Sequence, residues 1–281
     1  MKIAIIGLGL IGGSLGLALK KNGAHSLIGI PRDEKTLQKA LALGVVDEGT
    51  TDHLRGVKEA DLVFVCVPIN LIVPVVGEIA PHLKKGAIVT DVASTKYEVV
   101  TRLEKAMPKG TYFIGGHPLA GKEQFKIDAA EAGLFNDRTW VLTRTSRTSQ
   151  RAMEKVTEIV RLIGAKPIEL EPKTHDLVVA AISHVPLAVA VALVNAVSGE
   201  AEKVIMAQCA ASGFRDSTRV ASGDPILGVD IFTTNKKAVL KMIGSFKRSL
   251  SSLEGLIKEG NGEKIREELA RAKQFRDSIY G

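Results

Sequence analysis

The sequence predicts a doubly wound, mostly parallel α/β domain followed by an all-helical one. Three observations carry that prediction. Short β-branched apolar runs alternate with helical apolar patterns through the first 170 residues, as in sheets covered by helices on both faces. A glycine-rich turn joins the first of those runs directly to the first helical pattern. Beyond residue 170 the strand signal stops, and apolar residues recur only at helical spacing. A chain of 281 residues has room for two domains at about 150 residues each, and the change of pattern divides it into 1–170 and 171–281.

Lys2 to Ile6 is a short apolar run of the kind that makes a strand buried on both faces. Gly7, Gly9 and Gly12 follow as G-x-G-x-x-G, and Leu10, Leu15, Ala18 and Leu19 then repeat on one helical side. The spacing has a mechanical reason: Gly7 permits a tight turn, Gly9 lets a pyrophosphate approach the backbone, and Gly12 lets helix and strand pack closely. Phosphates would rest on free N–H groups at the helix N-terminus, favoured by the macrodipole. Glycines also make ordinary turns, but here the motif follows a strand and opens a helix, the context that identifies a Rossmann-type dinucleotide site. Gly7, Gly9, Leu10, Ile11 and Gly12 form its expected cofactor-binding loop.

Ser26 to Ile30 reads as the second strand, ending at Pro31-Arg32-Asp33. Ala60 to Pro68 is an apolar strand with a proline stop, which brings Val67 and Pro68 to the cofactor. Ala87 to Thr90 is another strand, with Asp91-Val92-Ala93-Ser94-Thr95-Lys96 just past its end; Lys96 reads as helix surface. Thr111 to Ile114 leads into Gly115-Gly116-His117-Pro118, and Thr139 to Thr143 is a further strand. Ligands of such sheets bind outside the carboxyl ends of the strands, so the glycine loop, Pro68, Ser94 and His117 are expected around one cleft. Glu169 to Lys173 reads as a linker, helices are expected over about 173–197, 200–212, 235–258 and 262–279, and Gly213 to Asp230 reads as a Gly/Pro-punctuated break.

Bulk properties narrow the function classes. Lys and Arg exceed Asp and Glu by 38 − 31 = 7, yet only 4% of residues are aromatic and no long basic run occurs, which argues against a nucleic-acid partner. A phosphorylated cofactor and a carboxylated substrate account for part of the excess. Cys66 and Cys209 read as buried thiols in a reducing, cytoplasmic compartment, and neither lies near a metal-ligand partner. The first residues already form a core strand, so no signal peptide is expected. Leu177 to Val197 approaches the length of a membrane span, but it carries Ser183, His184, Pro186 and Asn195; a helix in a protein core or a two-fold dimer interface is the better reading.

An NAD site normally offers an acidic residue at the end of the second strand for the ribose 2′-hydroxyl. Here Pro31 stands there with Arg32 beside it, and an arginine can meet a 2′-phosphate with a charge-assisted fork. Asp33 is equally explained as a helix N-cap and Arg32 as surface charge, so the preference for NADP over NAD is an expectation. His117, on the cofactor side of the sheet, is suited to taking a hydroxyl proton while hydride leaves the same carbon; its alternative is a histidine satisfied by backbone. Ser94 would orient the imidazole or the hydroxyl, or else cap the helix from Thr95. His184 would contact substrate or serve as a structural hydrogen-bonding residue. Arg215 and Arg219 share a helical face, and one of them could bind a carboxylate bidentately or hold the fold.

Taken together, these residues make the chain resemble the prephenate/arogenate dehydrogenase family of tyrosine biosynthesis over nearly its whole length. The resemblance rests on Gly7–Ser14, Asp91–Ser94, Gly115–Gly121, Ile182–Pro186 and Gly213–Val220. It implies oxidation of a ring alcohol and loss of the ring carboxylate as carbon dioxide. It also implies His117 as the hydrogen-bond partner of the ring hydroxyl, Ser94 as its assistant, Arg219 as the carboxylate anchor, and a helical dimerisation domain. Two departures bear on substrate: Leu187 stands where the prephenate-using pattern has a second histidine, and Gly228 lies in a segment that often carries Trp. The Leu187 pattern, the short chain and Arg32 make it similar to the NADP-dependent arogenate dehydrogenases of cyanobacterial type. The rivals are an NAD-dependent prephenate dehydrogenase making 4-hydroxyphenylpyruvate, a β-hydroxyacid dehydrogenase, and a non-catalytic nucleotide sensor.

Overall fold

The computed structural model of the chain describes residues 1–23, 25–122 and 126–281. Its first half runs β1 (Lys2–Ile6), α1 (Leu10–Asn22), β2 (Ser26–Ile30), α2 (Glu34–Ala42), β3 (Glu48–Gly49), α3 (His53–Val57), β4 (Leu62–Val65), α4 (Ile69–Ile79), β5 (Ile88–Asp91), α5 (Tyr97–Ala106) and β6 (Tyr112–Ile114). These strands form one parallel sheet in the order β3-β2-β1-β4-β5-β6, doubly wound as expected. The apolar runs are continuous because both faces are covered. Ile3, Ile5, Leu62 and Phe64 join one core cluster, while Ala4, Ile6, Val63 and Val65 join the other. The period of two along a strand assigns alternate residues to opposite faces.

The sequence then departs from one continuous sheet. β7 (Gly116–Pro118), β8 (Thr139–Thr143) and β9 (Lys166–Leu170) form a second sheet, β7 antiparallel to β8 and β8 parallel to β9, with α6 (Gln150–Leu162) connecting the last two. Thr139 to Thr143 is therefore a strand, but of this smaller sheet, and the stretch expected as a linker is half strand. β9 is largely exposed, so it lacks the apolar run that marks a covered strand. The Gly116 N–H donates to Asp91 Oδ1 (3.1 Å), which fixes β7 beside the end of β5.

The second half is helical: α7 (Pro172–Val179), a π turn over Ala180–His184, α8 (Val185–Gly199), α9 (Lys203–Cys209), α10 (Ser212–Thr218), a 3₁₀ turn over Arg219–Ser222, α11 (Pro225–Thr234), α12 (Lys236–Glu259) and α13 (Gly262–Tyr280). The expected break over 213–230 is mostly short helices. Pro225 occupies the first helical turn, where its missing N–H costs nothing, and Asp224 caps that helix by accepting from the Ile226 N–H (2.9 Å). Residues 172–199 form one helical rod that is long and apolar enough to cross a membrane by length and composition alone; only 28% of its most apolar stretch is buried within the chain. His175, Asp176 and His184 are the polar residues it does bury.

Candidate active site

The glycine loop has the geometry its spacing implies. Gly7 adopts φ +87°, a left-handed conformation that favours glycine, and a Cβ there would stand 2.4 Å from the Cys66 carbonyl oxygen. A Cβ on Gly12 would stand 2.0 Å from the Gly7 carbonyl oxygen, so only glycine lets α1 start this close to the turn. The Gly7 N–H donates to the Ile30 carbonyl (2.9 Å) and the Cys66 N–H to the Ile6 carbonyl (2.7 Å), tying the loop between β2 and β4. Gly9 is the N-cap of α1; no side chain caps this terminus and its first turn holds no acidic residue. The leading N–H groups, those of Leu10, Ile11 and Gly12, are thus positioned to meet an anion. The residues present fit a dinucleotide. Val67 packs on the loop from β4, its Cγ1 standing 3.2 Å from where a Gly7 Cβ would be, and Pro68 is exposed beside it as the N-cap of α4. Arg32 is exposed at the end of β2, and Asp33 caps α2, accepting from the Thr36 N–H (2.8 Å) and hydroxyl (2.9 Å).

Next along the sheet, beyond β5, lies a buried charge cluster that the sequence reading passed over. Lys96, expected on a helix surface, is fully buried and forms an ion pair with the fully buried Asp91. Burial pulls the Lys96 ammonium below the usual lysine range, and the neighbouring Asp91 and Asp176 carboxylates oppose that shift. Asp91 is also held by the Ala93 N–H (3.0 Å) on one oxygen and the Gly116 N–H (3.1 Å) on the other. α5 begins at Tyr97 rather than Thr95, and its cap comes from the other half of the chain. Asp176 accepts from the Lys96 N–H (2.7 Å) and the Tyr97 N–H (3.0 Å), a carboxylate at a helix N-terminus. Ser94, half-buried on the same turn, is not that cap, and its hydroxyl makes no hydrogen bond among the described residues.

His117 sits on β7 with its ring edge-on to His175, ring centroids 5.1 Å apart. His117 Nδ1 lies 2.9 Å from His175 Nε2, and His175 Nδ1 lies 2.8 Å from Asp176 Oδ1. Burial, then the neighbouring His175, Lys96 and His184, holds the His117 imidazole well below the ordinary histidine range, so it is neutral at pH 7. His184 closes the π turn. Burial lowers it to about 4, with Asp176 opposing and His175 adding to the shift. The Asn235 amide, at the junction of α11 and α12, donates to the Asp176 carbonyl (2.7 Å) and to His184 Nδ1 (3.2 Å), which leaves the His184 hydrogen on Nε2.

The glycine loop, Val67–Pro68 and Ser94 therefore follow the carboxyl ends of three adjacent strands, β1, β4 and β5, with His117 alongside β5. Arg219 opens the 3₁₀ turn that packs against α8, its side chain exposed, and Arg215 pairs with Asp216 (3.1 Å) at the surface. Cys66 is half-buried rather than buried, its thiol pushed above the usual range by desolvation and Asp91; Cys209 is exposed. Leu187 lies one helical turn beyond His184, and a Cβ added to Gly228 would come within 4.0 Å of its Cδ2, so the two departures are neighbours. His175, Asp176, Asn235, Asp91 and Lys96 were missed because the contacts that bring them together, His117–His175, Lys96–Asp176, Asn235–Asp176 and Asn235–His184, each join segments more than fifty residues apart. The His175-Asp176 pair at the start of an apolar helix was the one available signal.

Comparison with known proteins gives consistent matches. The family model described as prephenate dehydrogenase, nucleotide-binding domain, matches residues 15–169, and that described as prephenate dehydrogenase, dimerization domain, matches residues 171–271. A prephenate dehydrogenase of Bacillus subtilis is 34% identical over 280 residues, covering 99% of this chain and 76% of the relative. A cyclohexadienyl dehydrogenase of Zymomonas mobilis is 34% identical over 277 residues, covering 98% and 94%. Among solved structures, Synechocystis arogenate dehydrogenase aligns with a TM-score of 0.91 at 37% identity, covering 99% of this chain and 100% of that one. Prephenate dehydrogenase from A. aeolicus, in complex with hydroxyphenyl propionate and NAD+, aligns at 0.92 with 32% identity, covering 99% and 98%.

Proposed function

This chain belongs to the prephenate dehydrogenase family, and we propose that within it the protein is an NADP-dependent arogenate dehydrogenase, converting arogenate to tyrosine. The observation that carries the chemistry is His117, held neutral at the edge of the nucleotide cleft with its Nδ1 engaged by His175. Nε2 is then the nitrogen that takes the ring hydroxyl proton, oriented with Ser94. NADP supplies the hydride acceptor. Loss of the ring carboxylate as carbon dioxide leaves an aromatic ring whose oxygen takes the proton back from His117, so hydride and carbon dioxide are all that depart from the substrate. Arg219 anchors the substrate carboxylate and His184 presents Nε2–H to it. Gly7, Gly9, Leu10, Ile11, Gly12, Val67 and Pro68 hold the dinucleotide.

Two observations support the finer assignments. The Asp33 carboxylate is engaged in capping α2, which leaves Arg32 as the charged group for a 2′-phosphate. Leu187 and Gly228 together present no polar group where a keto-acid side chain would need one. The division of labour follows the change of structure at 170/171: residues 1–170 carry the nucleotide, while 171–281 complete the substrate site and pair with a second copy, in the cytoplasm.

Initial rates with arogenate or prephenate, each paired with NADP or NAD, test this reading. The expected result is a kcat/KM preference for arogenate with NADP. Preference for prephenate with NAD would keep the family and reverse both specificity assignments. His117→Asn should lower kcat by about 10²–10⁴-fold while cofactor affinity, read by fluorescence titration, stays within error.

A further inference from the structure

Asp176 is the structural pivot between the two halves of the chain, and its hydrogen bonds determine more than a helix cap. One of its oxygens accepts from the Lys96 N–H and from His175 Nδ1, the other from the Tyr97 N–H. A carboxylate can only accept, so His175 carries a hydrogen on Nδ1, and as a neutral ring it has its lone pair on Nε2. That lone pair faces His117 Nδ1 at 2.9 Å, so His117 must place its hydrogen there. The chain of donors then ends with a lone pair on His117 Nε2. An imidazole with the opposite tautomer would present N–H and could not accept a proton.

The charges of the cluster point the same way. Asp91 and Lys96 cancel, and burial holds His117 and His184 below the ordinary histidine range, so Asp176 is left as the carboxylate that can balance a charge on His117. When His117 takes a proton the cluster becomes neutral overall. In the proposed reaction that proton returns to the same substrate oxygen, so the base needs no route to water, only a counter-charge while it is an imidazolium. His175, which is fully buried, links His117 to such a counter-charge without exposing either.

We propose that His175 and Asp176 are positioning residues that fix the tautomer of His117 and stabilise its imidazolium. No atom of either need touch the substrate. The inference rests on His117 being the proton acceptor, and its consequence is that the helical half of the chain sets the protonation state of a base carried by the sheet half.

The test is ¹⁵N NMR of the full-length protein labelled at histidine, with NADP bound, alongside steady-state kinetics. The expected spectrum has both His117 and His175 protonated at Nδ1 and bare at Nε2; the reverse assignment in the unmodified protein overturns the proposal. In Asp176→Asn the amide can donate to His175 Nδ1, reversing the tautomers of both rings, and kcat should fall by about 100-fold or more with the KM for cofactor unchanged. Asp176→Asn also weakens the cap on α5, so a second pair of variants leaves that cap alone. His175→Leu should lose kcat to a similar extent. His175→Gln, whose amide oxygen can accept from His117 and whose NH₂ can donate to Asp176, should recover to within about tenfold of the parent. Equal losses in the Leu and Gln variants would overturn the positioning role. The tautomer spectrum needs no substrate. Absence of turnover by the unmodified protein with any cyclohexadienol would instead sink the functional reading.

Discussion

The two halves of this chain bury their apolar residues in different ways. In the sheet half, Ile3, Ile5, Leu15, Leu62, Phe64 and Trp140 are each fully buried, and both large core clusters draw only on residues up to 165. In the helical half the apolar content is similar, yet Ile205 is 62% exposed, Ile226 73% and Phe275 71%. An open groove of about 1130 Å³ between α8, α9 and α10 is lined by Val194, Val197, Val204, Met206 and Phe214. The first half covers its apolar residues with its own chain; the second leaves an apolar surface larger than a monomer usually exposes to water. A sequence with uniform hydrophobicity can thus hold one region that covers its own apolar residues and one, matched by the dimerization-domain model, that leaves them exposed. Of the polar residues of the long rod, His175 and Asp176 are buried against His117, Lys96 and Tyr97 of the sheet half, and His184 against Asn235 of the helical half.

Breaking that contrast gives predictions of decreasing size. Phe64→Ala removes a ring packed edge-on against Trp140, centroids 6.4 Å apart, and should cost about 3–5 kcal/mol in denaturant unfolding, independent of protein concentration. Ile205→Asp would cost within about 0.5 kcal/mol on an ordinary surface. On a dimer face it should raise the dissociation constant by about tenfold or more, seen by sedimentation as a monomer; an unchanged mass would remove α9 from the interface. Arg32→Ser removes a charged hydrogen-bonding group and should reduce kcat/KM with NADP by roughly ten- to a hundredfold while sparing NAD.

The smallest effect concerns pH. His117 and His184 titrate lower in the folded chain than their ordinary value of about 6.5 when unfolded. The unfolded chain therefore binds more protons below that pH, and stability should fall as pH drops from about 6.5 toward 4. The groups facing His184 are Asp176, His175 and Asn235, and those facing His117 are His175, Lys96 and His184. A melting temperature flat over that range would show that water reaches both imidazoles; His184→Gln should flatten the slope in part.

Much of this was legible in the residues themselves. The glycine loop could be read because every requirement on Gly7 and Gly12 is met within a few residues of chain, by a positive φ and by a carbonyl that excludes a Cβ. β1, β2, β4, β5, β6 and β8 were legible because covered strands carry unbroken apolar runs, whereas the short β3 and β7 carry none. β9 was not, since it is exposed and carries no such run, and the short helices over 212–234 were hidden by glycines and prolines that mark helix starts as readily as loops. Lys96 was misread for a different reason: a lysine near a helix start is ordinarily solvated, and only the presence of Asp91 across the turn makes its burial possible.

The sequence by itself determined the fold class and the tight glycine loop, and marked His117 as a candidate base, because these depend on local spacing and backbone sterics. Tertiary structure alone decided which residues stand against His117 and hold it. His117 and His175 are separated by 58 residues and Lys96 and Asp176 by 80, and hydrogen-bond direction over such separations is set by packing, which no local pattern encodes.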